Sequence, residues 1–360
     1  MNSERLQRVL AEMKKEGIGQ LVITNPHSIC YLAGHYEEPI ERFWALYLNE
    51  SGSHRLIANR LFTLSEVSGI EILWYEDGQD GAELLASCVE HDKVLGVDGG
   101  MRARFLLRLM DLNAASGYRT ASDCLDTVRA HKDEEEKALM RRASEINDKA
   151  MAKFKELIRP GVTEKQIAGQ LLEIYRKLGG KDFSFSPSVA FGGNAACGHH
   201  EPDDTVLKVG DCILLDVGCT YESYCSDMTR TFFFGEVSNA HRHVYESVLA
   251  AQLAAEAAIR PGVPLKDIDG IARRVLTEAG YGPNFTHRLG HFIGREVHEK
   301  GDVSPSSPLV AEPGMIFSIE PGAYLPDDIG VRIEDLVLVT EDGVELLNHY
   351  TKDLQVIPAE

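Results

Sequence analysis

No run of roughly eighteen apolar residues occurs anywhere in the chain, so no segment is built to cross a bilayer as a helix. No CxxC pair occurs either. The seven cysteines, at 30, 88, 124, 197, 212, 219 and 225, are odd in number and scattered, which argues against a disulfide framework and a thiolate zinc site. They read as reduced, mostly buried thiols. Positive charge is in short supply: 37 Lys and Arg face 56 Asp and Glu, giving a net charge of −19 that repels phosphate backbones and counts against a nucleic-acid partner. Part of that excess is not free charge if carboxylates hold divalent cations. The opening stretch, MNSERLQRVLAEMKKEG, is a charged amphipathic helix without the apolar centre of a secretory signal. The reading is a cytoplasmic protein with no membrane association.

What is present is a soluble composition, 44% hydrophobic and 26% charged, over 360 residues, enough for two domains and a cleft. Residues 1–127 alternate helical and strand patterns, with strands at LVIT (21–24), WALYL (44–48) and VLGVD (94–98), and predict a small α/β domain. From Thr127 a long helix is expected, its Leu139, Ala143, Ile146, Ala150, Phe154 and Leu157 recurring at three- and four-residue steps. Residues 128–360 then form a second, α+β domain.

That second domain carries an internal repeat. Ile158-Arg-Pro-Gly-Val162 with Lys165, Ile167 and Gly169 recurs 101 residues later as Ile259-Arg-Pro-Gly-Val263 with Lys266, Ile268 and Gly270. Each copy is expected to have a helix before and after it, with a Thr163/Gln166 capping box in the first and Pro264 in the first turn of the second. Further on, the stretch from Gly210 to Asp216 and Gly218 is echoed by that from Gly314 to Glu320 and Gly322, with an acid at the matching place. Two such halves, each too small to bury its own helix faces, would pack about a pseudo-twofold axis and share a cleft.

Beyond Asp216 the chain turns back as SDMTRTFFF, which places Asp227 across a hairpin; beyond Glu320 it returns as VRIEDLVLV, which places Glu334 in the same relation. Four ionised carboxylates in one cleft require compensation, and two divalent cations would supply it. His291, in HRLGHFIGREVHE, offers a nitrogen ligand next to a glycine that permits close backbone approach. Four carboxylates and one imidazole suit Mn²⁺ first and also Co²⁺ or Zn²⁺. Two ions sharing a water would generate a hydroxide for amide hydrolysis. Taken singly, Asp227 reads as a cap, Glu334 as a partner for Arg332 and His291 as a core histidine. None of these explains the symmetric placement.

The motifs LLDVG, SDMTRT, HRLGHFIGREVHE, SIEPGAYLP and GVRIED resemble those of the creatinase-like, "pita-bread" metallopeptidases, close to Xaa-Pro dipeptidases (prolidases) and aminopeptidase P. The resemblance covers essentially the whole chain. It implies an α/β N-terminal domain joined to a pita-bread catalytic domain, and a dinuclear site in which Asp216 binds one metal, Asp227 and Glu334 bridge, and His291 and Glu320 serve the other. Glu320 would also act as general base and proton shuttle. The resemblance implies further that His298 steadies the tetrahedral intermediate, that His199 lies at the substrate mouth, that Arg332 supports a ligand carboxylate, and that His287 is a further support. Within YLAGHYEEPIERFWAL, Glu38, Glu41 and Arg42 match charged positions of a loop that reaches a partner subunit's site, Arg42 as receiver of a dipeptide's carboxylate; a solvated charged loop is the plain alternative. A homodimer is implied, with Phe43 and Trp44 as candidates for its contact. The chain departs from many relatives at Phe292, where a glycine would widen the pocket, and at Asp302, where relatives sometimes place a carboxylate-binding arginine. The expected substrate is an Xaa-Pro dipeptide. The alternatives are longer Xaa-Pro peptides, as for aminopeptidase P, and a non-catalytic binding member of the fold.

Overall fold

A computed structural model of the chain describes residues 1–64, 67, 69–198 and 200–359, and divides into two compact units, Met1–Arg129 and Ala130–Glu360. In the first unit, strands β1 (Gln20–Ile23), β2 (Ala45–Asn49), β3 (Arg55–Asn59), β4 (Glu71–Tyr75), β5 (Val94–Val97) and β6 (Gly117–Thr120) form one sheet in the order β4-β3-β2-β1-β5-β6. Helices α1 (Ser3–Lys15), α2 (Pro26–Ala33), α3 (Gly81–Ala86), α4 (Ala103–Asp111) and α5 (Asp123–Ala130) accompany it. Its central strands are apolar on both faces: Leu21, Ile23, Leu46 and Leu48 enter one core, and Val22, Ala45 and Tyr47 enter another. Phe43 and Trp44 belong to these cores, 3% and 1% exposed, with Trp44 edge-on to Phe62. That burial removes both from the candidates for a dimer contact.

The long helix expected from Thr127 is broken. Helix α5 stops at Ala130, His131 pairs with Met315 as an isolated bridge, and α6 (Glu134–Lys155) begins afresh after Asp133. The cause is local: the Asp133 side chain caps the Glu136 backbone N–H while the Glu136 side chain caps that of Asp133. The periodic residues from Leu139 to Phe154 all lie within α6, and the capping box sets where that helix starts.

In the second unit α6 and α7 (Glu164–Leu178) precede β7 (Ser188–Phe191), β8 (Cys212–Val217), a small hairpin of β9 (Thr220–Tyr221) and β10 (Tyr224–Cys225), and β11 (Met228–Phe234). Helices α8 (Asn239–Ala258) and α9 (Leu265–Glu278) precede β12 (Gly290–Phe292), β13 (Glu299–Val303), β14 (Ile316–Ile319), the hairpin of β15 (Gly322–Leu325) and β16 (Ile329–Arg332), β17 (Asp335–Val339) and β18 (Val344–Leu346); β19 (Val356–Ile357) closes the chain. Two sheets result, β19-β11-β8-β7 and β13-β12-β14-β17-β18. Ile146, Phe154, Ile167 and Leu171 from α6 and α7 pack on Leu215 and Phe232, while Val248, Ala255, Ile268 and Leu276 from α8 and α9 pack on Phe317 and Val337. Thus each sheet is backed by its own helix pair.

The repeated Pro-Gly turn does the same work twice. Gly161 and Gly262 adopt φ of +75° and +86°, and the residues after the turns form matching isolated bridges, Thr163 with Val206 and Pro264 with Val310. Thr163 and Gln166 form a capping box, but Pro264 is the N-cap of α9 rather than a first-turn residue. Five of the seven cysteines are buried. Among the described residues no helix is long and apolar enough to cross a membrane.

Candidate metal centre

The sheet geometry carries the acids to one place. In β8 Asp216 stands opposite Thr229 of β11, and Asp227 is the residue just before β11. In the other sheet Ile319 stands opposite Asp335, so Glu320 follows β14 directly and Glu334 immediately precedes β17. Two glycines let these segments close. A Cβ on Gly218 would lie 2.1 Å from the Ser226 carbonyl oxygen, and one on Gly290 only 1.8 Å from that of Ser318, so neither position accepts a larger residue without moving backbone. Gly290 thereby brings His291 against β14.

The five residues line one cavity of about 1020 Å³, together with Arg332, His287, His298 and Tyr324. Ligand atoms of Asp227, His291 and Glu334 all lie within 4.8 Å of one another. Glu320 Oε1 is 3.5 Å and Asp227 Oδ2 3.6 Å from His291 Nε2. The ring of His298 sits 4.2 Å from that of His291. His199 falls outside the described residues.

A cationic and hydroxyl framework holds the acids. Arg332 donates to Asp216 Oδ2 at 2.7 Å, to Tyr324 Oη at 2.8 Å and to Thr229 Oγ1 at 3.1 Å, and Thr229 donates in turn to Glu334 Oε2 at 2.7 Å. His287 Nδ1 donates to the Arg288 carbonyl at 2.7 Å, so its Nε2 accepts from Tyr324 Oη at 2.8 Å. Burial, then the Arg332 charge, pushes His287 down to about 4, which keeps it the neutral acceptor this chain requires. Ser318 Oγ accepts from the His291 backbone N–H and donates to Glu320 Oε1. Thr229, Tyr324 and Ser318 were not singled out from sequence, although each lies within four residues of an acid in the motifs quoted above.

One arginine does not neutralise four carboxylates. Burial first, then the Asp216 charge, raises Asp227 well above the usual carboxylate range; Glu334 is raised in the same way by burial, Asp227, Glu320 and Asp216, and burial pushes Glu320 to about 7. Buried acceptor atoms are left over as well. Asp216 Oδ1 and Asp227 Oδ1 have no hydrogen-bond partner. His291 Nδ1 faces the Phe292 carbonyl at 3.3 Å, which orients the lone pair of Nε2 toward two carboxylate oxygens with no donor between them. Lone pairs converging from an imidazole and several acids are the electrostatic shape of a cation site, so divalent metals fit the residues present.

The comparisons with known proteins agree with this geometry. Residues 138–341 match metallopeptidase family M24, and residues 5–131 match the creatinase/prolidase N-terminal domain. The chain belongs to metallopeptidase family M24. Its architecture is the creatinase N-terminal domain followed by the pita-bread catalytic domain. An uncharacterised peptidase of Staphylococcus aureus (strain MW2) is 36% identical to this M24 chain over 352 residues, covering 97% of it and 99% of the relative. A dipeptidase structure from Pyrococcus horikoshii OT3 superposes with a TM-score of 0.92 at 32% identity, covering 98% and 100% of the two chains. A Xaa-Pro dipeptidase structure from Bacillus anthracis gives 0.90 at 30% identity, covering 98% and 99%.

Three further positions named from the sequence have the following surroundings. Arg42 lies in the first unit with its guanidinium engaged, Nε and Nη2 on the two Asp77 oxygens at 2.9 and 2.8 Å and Nη1 on Glu41 at 2.9 Å; Glu38 accepts from Tyr36 Oη at 3.3 Å. Phe292 does not narrow the cavity: it is fully buried against Phe317 and over Gly301, where a Cβ would meet its ring at 2.6 Å. Asp302 is the cross-strand partner of His291, accepts from Ser304 Oγ at 2.8 Å, and stands 4.0 Å from Arg288.

Proposed function

We propose that the protein is a cytoplasmic, homodimeric dipeptidase that hydrolyses Xaa-Pro dipeptides with two divalent cations, Mn²⁺ first among them. The observation that carries the reading is the convergence of His291 Nε2 with buried, under-partnered carboxylates in one cavity of about 1020 Å³. Asp216, Asp227, His291, Glu320 and Glu334 would hold the cations. When bound, such a pair supplies Lewis-acid polarisation of a peptide carbonyl and lowers the pKa of a nearby water.

The chain's own residues divide the remaining work. Glu320, with its side chain 15% exposed and one oxygen held by Ser318, is placed to take a proton from the attacking water and deliver it to the leaving nitrogen. His298, packed against His291 at the cavity wall, would donate to the substrate carbonyl oxygen. Arg332 keeps Asp216 and, through Thr229, Glu334 in place; its own substrate contact is secondary to that duty.

Three permanent cations line the cavity among the described residues, and they differ in availability. Arg332 is committed to Asp216, and Lys165 is paired with Asp204 at 3.0 Å, whereas Arg288 meets Asp302 only at 4.0 Å. Arg42 is paired with the exposed Asp77 and Glu41 in the first unit, and as a second candidate we assign the substrate carboxylate to Arg288, which lines the cavity itself. Arg288→Ala is expected to raise KM for Ala-Pro about tenfold, the worth of a charge-assisted hydrogen bond, and to leave KM for Ala-prolinamide nearly unchanged. Equal effects on both substrates would refute the assignment.

The function itself is tested by incubating metal-stripped protein with Ala-Pro and with Ala-Pro-Pro, before and after adding Mn²⁺. The expected result is cleavage of the dipeptide that depends on Mn²⁺. Preference for the tripeptide would make the protein an aminopeptidase P, and inertness toward both with metal bound would end the proline-specific reading.

A further inference from the structure

Glu164 opens helix α7, where a carboxylate ordinarily faces solvent, yet its side chain is fully buried and engaged by four groups. Oε1 accepts from the Phe191 backbone N–H at 2.7 Å and from Asn194 Nδ2 at 3.0 Å. Oε2 accepts from the Asp203 backbone N–H at 3.0 Å and from His200 Nε2 at 2.6 Å. These partners come from the end of β7, the tight turn Gly192–Ala196 and the loop beyond it. The attachment is reciprocal, since the backbone N–H groups of Glu164 and Lys165 donate to the carbonyls of Thr205 and Asp203. Ser188 of β7 adds a bond from its Oγ to the His200 carbonyl at 3.1 Å, and the same Ser188 stands opposite Asp216 in the sheet. A single carboxylate therefore fastens the strand beside a candidate metal ligand to the loop whose Gly198, His200, Glu201 and Pro202 line the cavity.

Glu164, His200 and Asp203 come close enough together to invite a second cation site. Four donors already fill the acceptor positions of the carboxylate, which is the signature of an anchor rather than of a ligand waiting for an ion. We infer that Glu164 is a positioning residue: acting through His200 and the Asp203 backbone, it sets the wall of the cavity against which the substrate binds. The chemistry-bearing acids stand on other strands, so loosening this wall weakens substrate binding and spares the chemical step. This inference rests on the dipeptidase reading for its kinetic test but not for its structural one.

In the Mn²⁺-loaded protein, Glu164→Gln replaces one acceptor oxygen by an amide that donates, so whichever way it turns it confronts two donors. KM for Ala-Pro is expected to rise about tenfold with kcat within about threefold of wild type, the split that marks lost binding rather than lost catalysis. Amide hydrogen exchange over 191–203 should accelerate about tenfold while that of α9 and bound manganese stay unchanged. His200→Gln, which leaves the other three bonds to Glu164 intact, should move KM in the same direction and be non-additive with Glu164→Gln; it serves as the test if the first variant does not fold. Native KM and native exchange over 191–203 in a folded variant would overturn the inference. Should the wild-type protein leave Ala-Pro intact, the dipeptidase reading fails, and the exchange measurement alone decides whether Glu164 holds the wall.

Discussion

Asp227→Asn is expected to lower kcat/KM by on the order of a thousandfold and, at the same time, to make the metal-free protein more stable than metal-free wild type. The two effects have one cause. Asp227 is buried, one of its oxygens has no partner, and its neighbours are Asp216, Glu334 and the lone pair of His291. In the absence of cations its charge is opposed first by burial and then by Asp216, and Arg332 offsets only part of that. A carboxyl whose folded-state pKa is raised stabilises the fold while protonated and loses that contribution as pH rises through the folded pKa, so near neutrality Asp227 destabilises the metal-free fold. Asparagine keeps the shape and removes the charge, which raises metal-free stability; it also removes the anionic oxygens that two cations would share, which abolishes loading. Manganese content by elemental analysis, Ala-Pro kinetics and thermal melts with and without metal read the three quantities together. A variant that retains its metal and its rate would refute Asp227 as a ligand, and one whose metal-free form melts below wild type would refute the account of repulsion.

The second large effect belongs to a residue beneath the site. Arg230→Ala is expected to cost about 3–5 kcal/mol of unfolding free energy, because it takes one of two cationic partners from the buried Asp335 and orphans several carbonyls at once. Arg230 is 1% exposed and makes five hydrogen bonds: to the carbonyls of Thr229, Glu334, Tyr350 and Thr351 and, at 2.6 Å, to Asp335 Oδ1. Lys352 completes the arrangement by bridging Asp335 and Glu256 at 2.7 and 2.8 Å. Lysine cannot reproduce a planar fork of donors, so Arg230→Lys should recover less than half of the loss. Because the same guanidinium holds the Glu334 carbonyl, the alanine variant should also bind manganese more weakly. Urea unfolding of the metal-free proteins measures the stability term; a loss below about 1 kcal/mol would show that the network contributes little beyond the packing of the side chain.

The candidate ligands were legible from sequence because each belongs to a short motif whose local geometry is strand, turn and strand. Asp216 and Asp227 are 11 positions apart and Glu320 and Glu334 14, so each pair lies within one stretch that runs out along a strand and back along its antiparallel neighbour. The 101-residue repeat likewise exposed two similar halves, since identical turns need identical glycines wherever φ is positive. The start of the long helix, by contrast, was set too early, because an apolar pattern that begins at Leu139 does not mark where Asp133 and Glu136 cap a new helix. The resemblance also left Phe43 and Trp44 available for a partner, when both are buried in the cores on the two faces of the sheet.

The sequence by itself determined which groups are the candidates to bind metal, on which kind of element each sits, and that the chain carries two similar halves. Tertiary structure alone decided what surrounds them. Arg332 reaches Asp216 across 116 positions, Arg230 reaches Asp335 across 105 and Lys352 reaches Glu256 across 96, while Arg42 is occupied by Asp77 from 35 positions away. No local pattern encodes such pairings. Hydrogen bonds and ion pairs act over a few ångströms of space, and only the packing of the sheets and helices converts sequence distance into that proximity.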